Sequence, residues 1–188
     1  MSISTSDFRN GLVVESDKGL MEIVEFQHVK PGKGPAFVRT KFKYLLSGRV
    51  IEKTYRSGEK FEEARVESQT WQYLYNDGDL FHFMHNETFE QLEVGKELVD
   101  ENARWMKENS NVTILFHNGK AIALSVPLSV ELTITESDPG VQGDRSSGAT
   151  KPATLETGVT IQVPLFLAEG DVVKVDTRTG YYLERINS

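Results

Sequence analysis

Most of this chain alternates between apolar and polar positions. In AFVRTKFKYL (36–45), Val38, Thr40, Phe42 and Tyr44 fall at every second place, with Arg39, Lys41 and Lys43 between them. Successive side chains of an extended strand point to opposite faces, so the run predicts one face for a core and one cationic face. MEIVEF (21–26) precedes it across a Gly/Pro-rich loop, and the two read as a hairpin. Further strands are predicted at 49–56, 70–77 and 80–86, the last two joined at Asp77-Gly78, a dipeptide suited to tight hairpin turns. The run 112–126 folds back at Asn118-Gly119, and 159–167 and 171–186 carry turns at Gly170 and Gly180. Only KELVDENARWMKE (96–108) has helical spacing. There Val99, Ala103 and Met106 share a face beside Leu98 and Trp105, while Asp100, Glu101 and Lys107 face water. The stretch 136–158 is rich in Gly, Ser and Thr and reads as a long connection, a class of segment that is often functional.

Short strands separated by turn signals predict an all-β chain built from small barrels. Composition shifts near residues 64 and 127, which gives three domains at 1–64, 65–127 and 128–188. Each is about 60 residues, enough for a five-stranded barrel.

Charge sharpens this picture. The formal net charge is −7, which at first argues against a phosphate-bearing partner. The distribution is uneven: residues 1–63 carry a net +2, residues 64–127 a net −5 and residues 128–188 a net −4. Within 28–56, Lys30, Lys33, Arg39, Lys41, Lys43, Arg49, Lys53 and Arg56 stand against Glu52 alone. A basic head on an acidic body is the result, and the head is where an anionic partner is expected.

Several kinds of chemistry are absent. With no cysteine there is no disulfide, thiol nucleophile or zinc ribbon. No phosphate-cradling GxxxxGK[ST] or GxSxG nucleophile setting occurs. Of the histidines 28, 82, 85 and 117, His82 and His85 lie three apart on a predicted strand, so they point to opposite faces and make poor co-ligands. The carboxylate pairs Glu62-Glu63 and Asp100-Glu101 sit in polar stretches and read as solvated surface. The expectation is a protein that is not an enzyme and has no metal or cofactor. Asp7 and Arg9 interrupt the first ten residues, which lack the apolar core of a signal peptide, and no apolar run approaches a membrane span. Two N-x-T sequences, at Asn86 and Asn111, matter only in a secreted chain. The expected compartment is the cytoplasm, with no membrane partner.

One stretch invites a functional reading. KPGKGPA (30–36) holds Lys33 between Gly32 and Gly34, with Pro31 and Pro35 outside them. Each proline drives the preceding residue towards extended geometry, and the glycines allow the positive φ of a tight tip. The product is a slender finger, stiff at its roots, ending in one amine. A lysine there can enter an anionic cavity or be acylated by a modifying enzyme.

At this point the residues resemble a known family. EFQHVKPGKGPAFVRTKFKYLLSGRVIEKTYRSGEK (25–60) resembles the first domain of bacterial elongation factor P. YLYNDGDLFHFMHNETFEQL (73–92) is similar to that family's second domain, and KPATLETGVTIQVPLFLAEGDVVKVDTRTGYYLERI (151–186) to its C-terminal signature. The resemblance implies a KOW/SH3-like barrel followed by two OB-like barrels in an L-shaped outline. It also implies a monomer that binds the 70S ribosome between the peptidyl- and exit-tRNA sites and contacts rRNA and the P-site peptidyl-tRNA. Such a factor positions the acceptor end, stimulates peptide-bond formation and relieves stalling at consecutive prolines. Lys33 matches the family's tip residue, the target of a lysine-modifying enzyme in many bacteria. Lys30, Pro31, Gly32 and Gly34 match its supporting loop, with Arg39, Lys41 and Lys43 as an RNA-binding face. Gly143 and Asp144 match a loop that approaches exit-site mRNA, where this chain continues with Arg145 and the family often has threonine. Tyr182 and Arg185 fit a Y-x-x-R pattern implicated in tRNA contact; on the residues alone, Tyr182 reads equally as core packing in the last strand.

Two other readings remain. One is a related factor with different targets. The other is a general single-stranded RNA-binding module on OB folds, which the acidic second and third segments disfavour.

Overall fold

The computed structural model describes residues 2–139 and 148–186. Two compact units are formed, one from residues 1–69 with 115–123 and the other from 70–114 with 124–188.

In the first unit, strands β1 (Ser2–Ser4), β2 (Val13–Ser16), β3 (Gly19–Val29), β4 (Phe37–Tyr44), β5 (Val50–Arg56) and β6 (Lys60–Glu62) follow in order. A four-stranded sheet runs β2-β3-β4-β5, and β1 pairs with β6. The alternation read in 36–45 is realised: Val38, Thr40 and Phe42 are fully buried, Tyr44 is half-buried, and Arg39 and Lys43 are exposed. Val38 and Phe42 meet Phe8, Leu12, Val14, Met21 and Ile23, with Tyr44, Tyr55 and Phe61 packed alongside. Edge-to-face rings knit this core, Phe8 against Phe42 at 6.3 Å and Tyr55 against Phe61 at 4.9 Å.

The remaining strands are β7 (Glu67–Asn76), β8 (Leu80–His85), β9 (Gln91–Gly95), β10 (Asn111–His117), β11 (Lys120–Ser125), β12 (Ser129–Ser137), β13 (Thr150–Leu155), β14 (Thr160–Pro164), β15 (Val172–Asp176) and β16 (Tyr182–Ile186). They form two five-stranded sheets, β11-β10-β7-β8-β9 and β14-β13-β12-β15-β16. The end strands β14 and β16 of the last sheet approach each other, curling it towards a barrel. The two asparagines of the N-x-T sequences bond to one another, Asn86 Nδ2 donating to Asn111 Oδ1 at 3.2 Å.

Two expectations are corrected. The segment 136–158 is not one connection, because Thr150–Leu155 is β13, paired on both sides. Pro152 obscured it. That proline lies one residue beyond the last β12–β13 pair, Ser137–Ala153, and faces a strand only on its β14 side, opposite Gln162.

The one short helix is present, but it does not run over 96–108 as its spacing suggests. A single α-turn, α1 (Lys96–Val99), ends at Asp100, whose φ is 45°, and a 3-10 segment covers Asp100–Trp105. Gly95 offers α1 no side-chain cap, and one turn is too short to hold without packing. The break lets two apolar side chains serve different cores. Val99 is fully buried on a turn that packs against β8 and β9. Trp105, only 3% exposed, joins Leu132, Leu155, Val173 and Val175 of the last sheet. Two contacts hold it there: Thr157 Oγ1 donates to the Arg104 carbonyl at 2.5 Å, and Lys107 lies 3.5 Å from Glu156.

Candidate functional site

The β3–β4 hairpin builds the finger. Its last cross-strand pairs are Glu25–Lys41, Gln27–Arg39 and Val29–Phe37, each centred on position 33, so Lys33 sits at the middle of the turn. The root is fixed by pairing of Phe37 with Arg56 and by the Ser57 amide donating to the Ala36 carbonyl at 3.0 Å. All peptide bonds of the described chain are trans. Gly34 has φ +112°, outside the range of side-chain-bearing residues, whereas Gly32 does not use a positive φ. The two glycines that look equivalent in sequence therefore do different work: one bends the chain and the other leaves space. Lys30, Lys33 and Gly34 are exposed, and Pro31 is half-buried. No described residue forms an ion pair or hydrogen bond with the Lys33 side chain.

The cationic face below the finger is less free than residue counts suggest. Strand pairing sets Glu25 and Glu52 on either side of Lys41, and Glu22 opposite Lys43. Lys41 Nζ donates to Glu25 Oε2 at 2.6 Å, which raises the lysine pKa above its ordinary value. Arg39 Nε lies 3.8 Å from Glu52 Oε1. Together with Phe26 and Gln27 these four charged groups line a shallow cavity of about 160 Å³. Lys43 has no ion pair among the described residues. The sequence count missed this because Glu22 and Glu25 precede the basic window. The signal that finds them is the hairpin's symmetry about position 33, which places residue 25 opposite residue 41.

The third group of expected site residues divides. Gly143, Asp144 and Arg145 lie outside the described residues. Near that segment, Lys151 is buried and donates from Nζ to the Asp138 carbonyl at 2.7 Å. Tyr182 is half-buried, opposite Val175, and packs against the core of the last sheet. Arg185 pairs with Asp171 at 2.9 Å with its side chain 47% exposed. The exposed ring at this end of the chain is the neighbouring Tyr181, 72% accessible.

Three family models match the chain in succession: the elongation factor P KOW-like domain over residues 4–61, its OB domain over 66–124 and its C-terminal domain over 130–185. Elongation factor P of Natranaerobius thermophilus is 52% identical over 184 residues, spanning 98% of both chains. That of Moorella thermoacetica is 55% identical over 183 residues, covering 97% of this chain and 99% of its own, and that of Mycobacterium avium 55% over 185. The chain belongs to the elongation factor P family. It is thus a translation factor whose first segment has the KOW-like fold and whose second has the OB fold. Among solved structures, eukaryotic translation initiation factor 5A from Methanococcus jannaschii aligns with a TM-score of 0.51 at 23% identity, covering 66% of this chain and 93% of its own. An eif-5a family protein from Naegleria fowleri gives 0.50 at 14% identity. Both are similar in fold.

The four histidines each contact a neighbouring side chain or backbone group. His82 Nε2 lies 2.8 Å from Asp77 Oδ2 and stacks on Tyr75 at 4.4 Å. This contact, with the Leu80 and Asp79 amides, lowers the Asp77 pKa to about 2. His85 meets the Trp71 ring edge-on at 5.1 Å, His28 meets Phe26 at 5.6 Å, and His117 Nδ1 lies 2.7 Å from the Arg65 carbonyl. Among the described residues no three His, Asp or Glu side chains gather as a metal site, and no helix is long and apolar enough to cross a membrane.

Proposed function

We propose that the protein acts in the cytoplasm as a monomer on the 70S ribosome, between the peptidyl- and exit-tRNA sites, and relieves stalling at consecutive prolines. The observation that carries this reading is the Lys33 amine, without a partner among the described residues, at the centre of a stiff hairpin in a chain of the elongation factor P family. Proline supplies a hindered secondary amine whose ring locks φ. A factor that holds the peptidyl-tRNA end in attack geometry lowers the barrier by positioning, without chemistry of its own. Lys33 reaches the acceptor end, bare or lengthened by a modifying enzyme. Lys30, Pro31, Gly32 and Gly34 shape its support, and Arg39, Lys41 and Lys43 face rRNA. Gly143, Asp144 and Arg145 approach exit-site mRNA. Arg185 is the tRNA contact of the last strand, with Tyr182 anchoring that strand to its core.

The test is Lys33→Ala in a reconstituted translation reaction carrying a Pro-Pro-Pro motif. The variant loses relief of stalling while its unfolding free energy stays within about 0.5 kcal/mol of the parent, as expected for an exposed loop side chain. Full activity of the variant refutes the mechanism.

A further inference from the structure

The acids beside the cationic face have no place in the function described so far. Glu25 and Glu52 flank Lys41 across the sheet, at 2.6 Å on the Glu25 side, and Glu52 also reaches Arg39 at 3.8 Å. All four side chains are roughly half-exposed, 43% and 65% for Lys41 and Glu25 and 52% for both Arg39 and Glu52. Ion pairs this exposed are held weakly and exchange readily for other partners. A phosphate can therefore take Arg39 or Lys41, but only by displacing a carboxylate already in place. Lys30, Lys33 and Lys43 form no ion pair among the described residues.

We propose that Glu25 and Glu52 are specificity-determining residues that mask Arg39 and Lys41 against indiscriminate binding to polyanions. The face engages RNA only where a surface also satisfies the unmasked Lys30, Lys33 and Lys43. The proposal rests on the ribosome-binding reading, and it supplies what that reading lacks. A factor that must find one site among many phosphates, and then leave it, gains from cations that are available at low cost yet not permanently exposed. Two acids fixed by strand register on either side of Lys41 do this without a moving part.

The experiment compares the full chain with the Glu25→Gln/Glu52→Gln double variant for binding to a 20-nucleotide single-stranded RNA across a salt series. Each cation released to bind phosphate steepens the slope of log K against log salt by about 0.7, so the double variant gains about 0.7 to 1.4 in slope. Its affinity at 0.1 M salt, relative to 1 M, rises roughly five- to twenty-fivefold on the same relation. Removing two negative charges raises polyanion binding by net charge alone, so Asp17→Asn/Glu67→Gln is the matched control, and it must leave the slope unchanged. Adding Arg39→Gln and Lys41→Gln to the double variant must cancel the gain. An unchanged slope in Glu25→Gln/Glu52→Gln, or an equal gain in the control, overturns the masking. Binding of the parent to 70S ribosomes is measured separately. Its absence would remove the proposed function while leaving the RNA comparison decisive for the mask.

Discussion

Trp105→Ala tests whether the segment after strand β9 completes the core of the last sheet. The side chain is 3% exposed and packs with Leu132, Leu155, Val173 and Val175. A buried aromatic removes about 150–250 Å² from water, and at about 25 cal/mol per Å² that is worth about 4–6 kcal/mol as an upper bound. Measured truncations of buried Phe and Trp cost about 3–5 kcal/mol, so we take about 4 kcal/mol as the expected loss. For a chain of this length each kcal/mol lowers Tm by about 2–4 °C, which gives a fall of about 8–16 °C. The assay is calorimetric and circular-dichroism melting, with urea unfolding followed through Trp71, the other tryptophan of the chain. Phe166→Ala is the control: that ring is 66% exposed, and its loss should shift stability by no more than about 0.5 kcal/mol. A Tm change of less than about 2 °C in Trp105→Ala would show that Trp105 is peripheral and that the last barrel closes without it.

Three shorter predictions follow from other sites. Thr40 Oγ1 is buried with no hydrogen-bond partner among the described residues, so Thr40→Val should raise the urea-unfolding free energy by about 1 kcal/mol. Gly34→Ala, forced to φ +112°, should cost about 1–2 kcal/mol and impair Pro-Pro-Pro synthesis, while Gly32→Ala should leave the unfolding free energy unchanged; equal losses of stability would refute the asymmetry of the loop. Asp77 and Asp176 have pKa values lowered to about 2, chiefly by hydrogen bonds from His82 and Arg178 respectively. Because the folded-state values lie below the unfolded ones, their contribution is complete above about pH 4 and is lost as pH falls towards 2. Asp77→Asn/Asp176→Asn should flatten the stability profile across that window, measured by urea unfolding at pH 5, 4, 3 and 2.5.

Sequence made the strands visible where burial is one-sided. In 36–45 a strict period of two records a core on one face and solvent on the other, and β4 follows it residue by residue. It failed where one local signal outweighed a distant contact. The Gly, Ser and Thr of 136–158 read as one connection, although β13 within it is held by strands on both sides. Val99, Ala103 and Met106 looked like one helical face, with Trp105 beside it, because of their spacing, but Val99 and Trp105 are drawn to different cores and Asp100 divides them. At the finger, Lys33 was legible because its setting is local, four residues of Gly and Pro. The electrostatic state of Arg39 and Lys41 was not, since it depends on which acids the adjacent strands carry to them.

The first sheet ends on β5, so the outer backbone of Val50–Arg56 has no neighbour within that sheet. A strand at the edge of a sheet is a template for another extended chain, and many proteins aggregate through one. Here its midpoint is Lys53, exposed and opposite Thr40. Were a second copy to lie antiparallel about that midpoint, the two Lys53 ammonium groups would face each other. Repulsion between them guards a sheet-rich molecule against polymerising along its open border, and Lys53→Val would lift that guard.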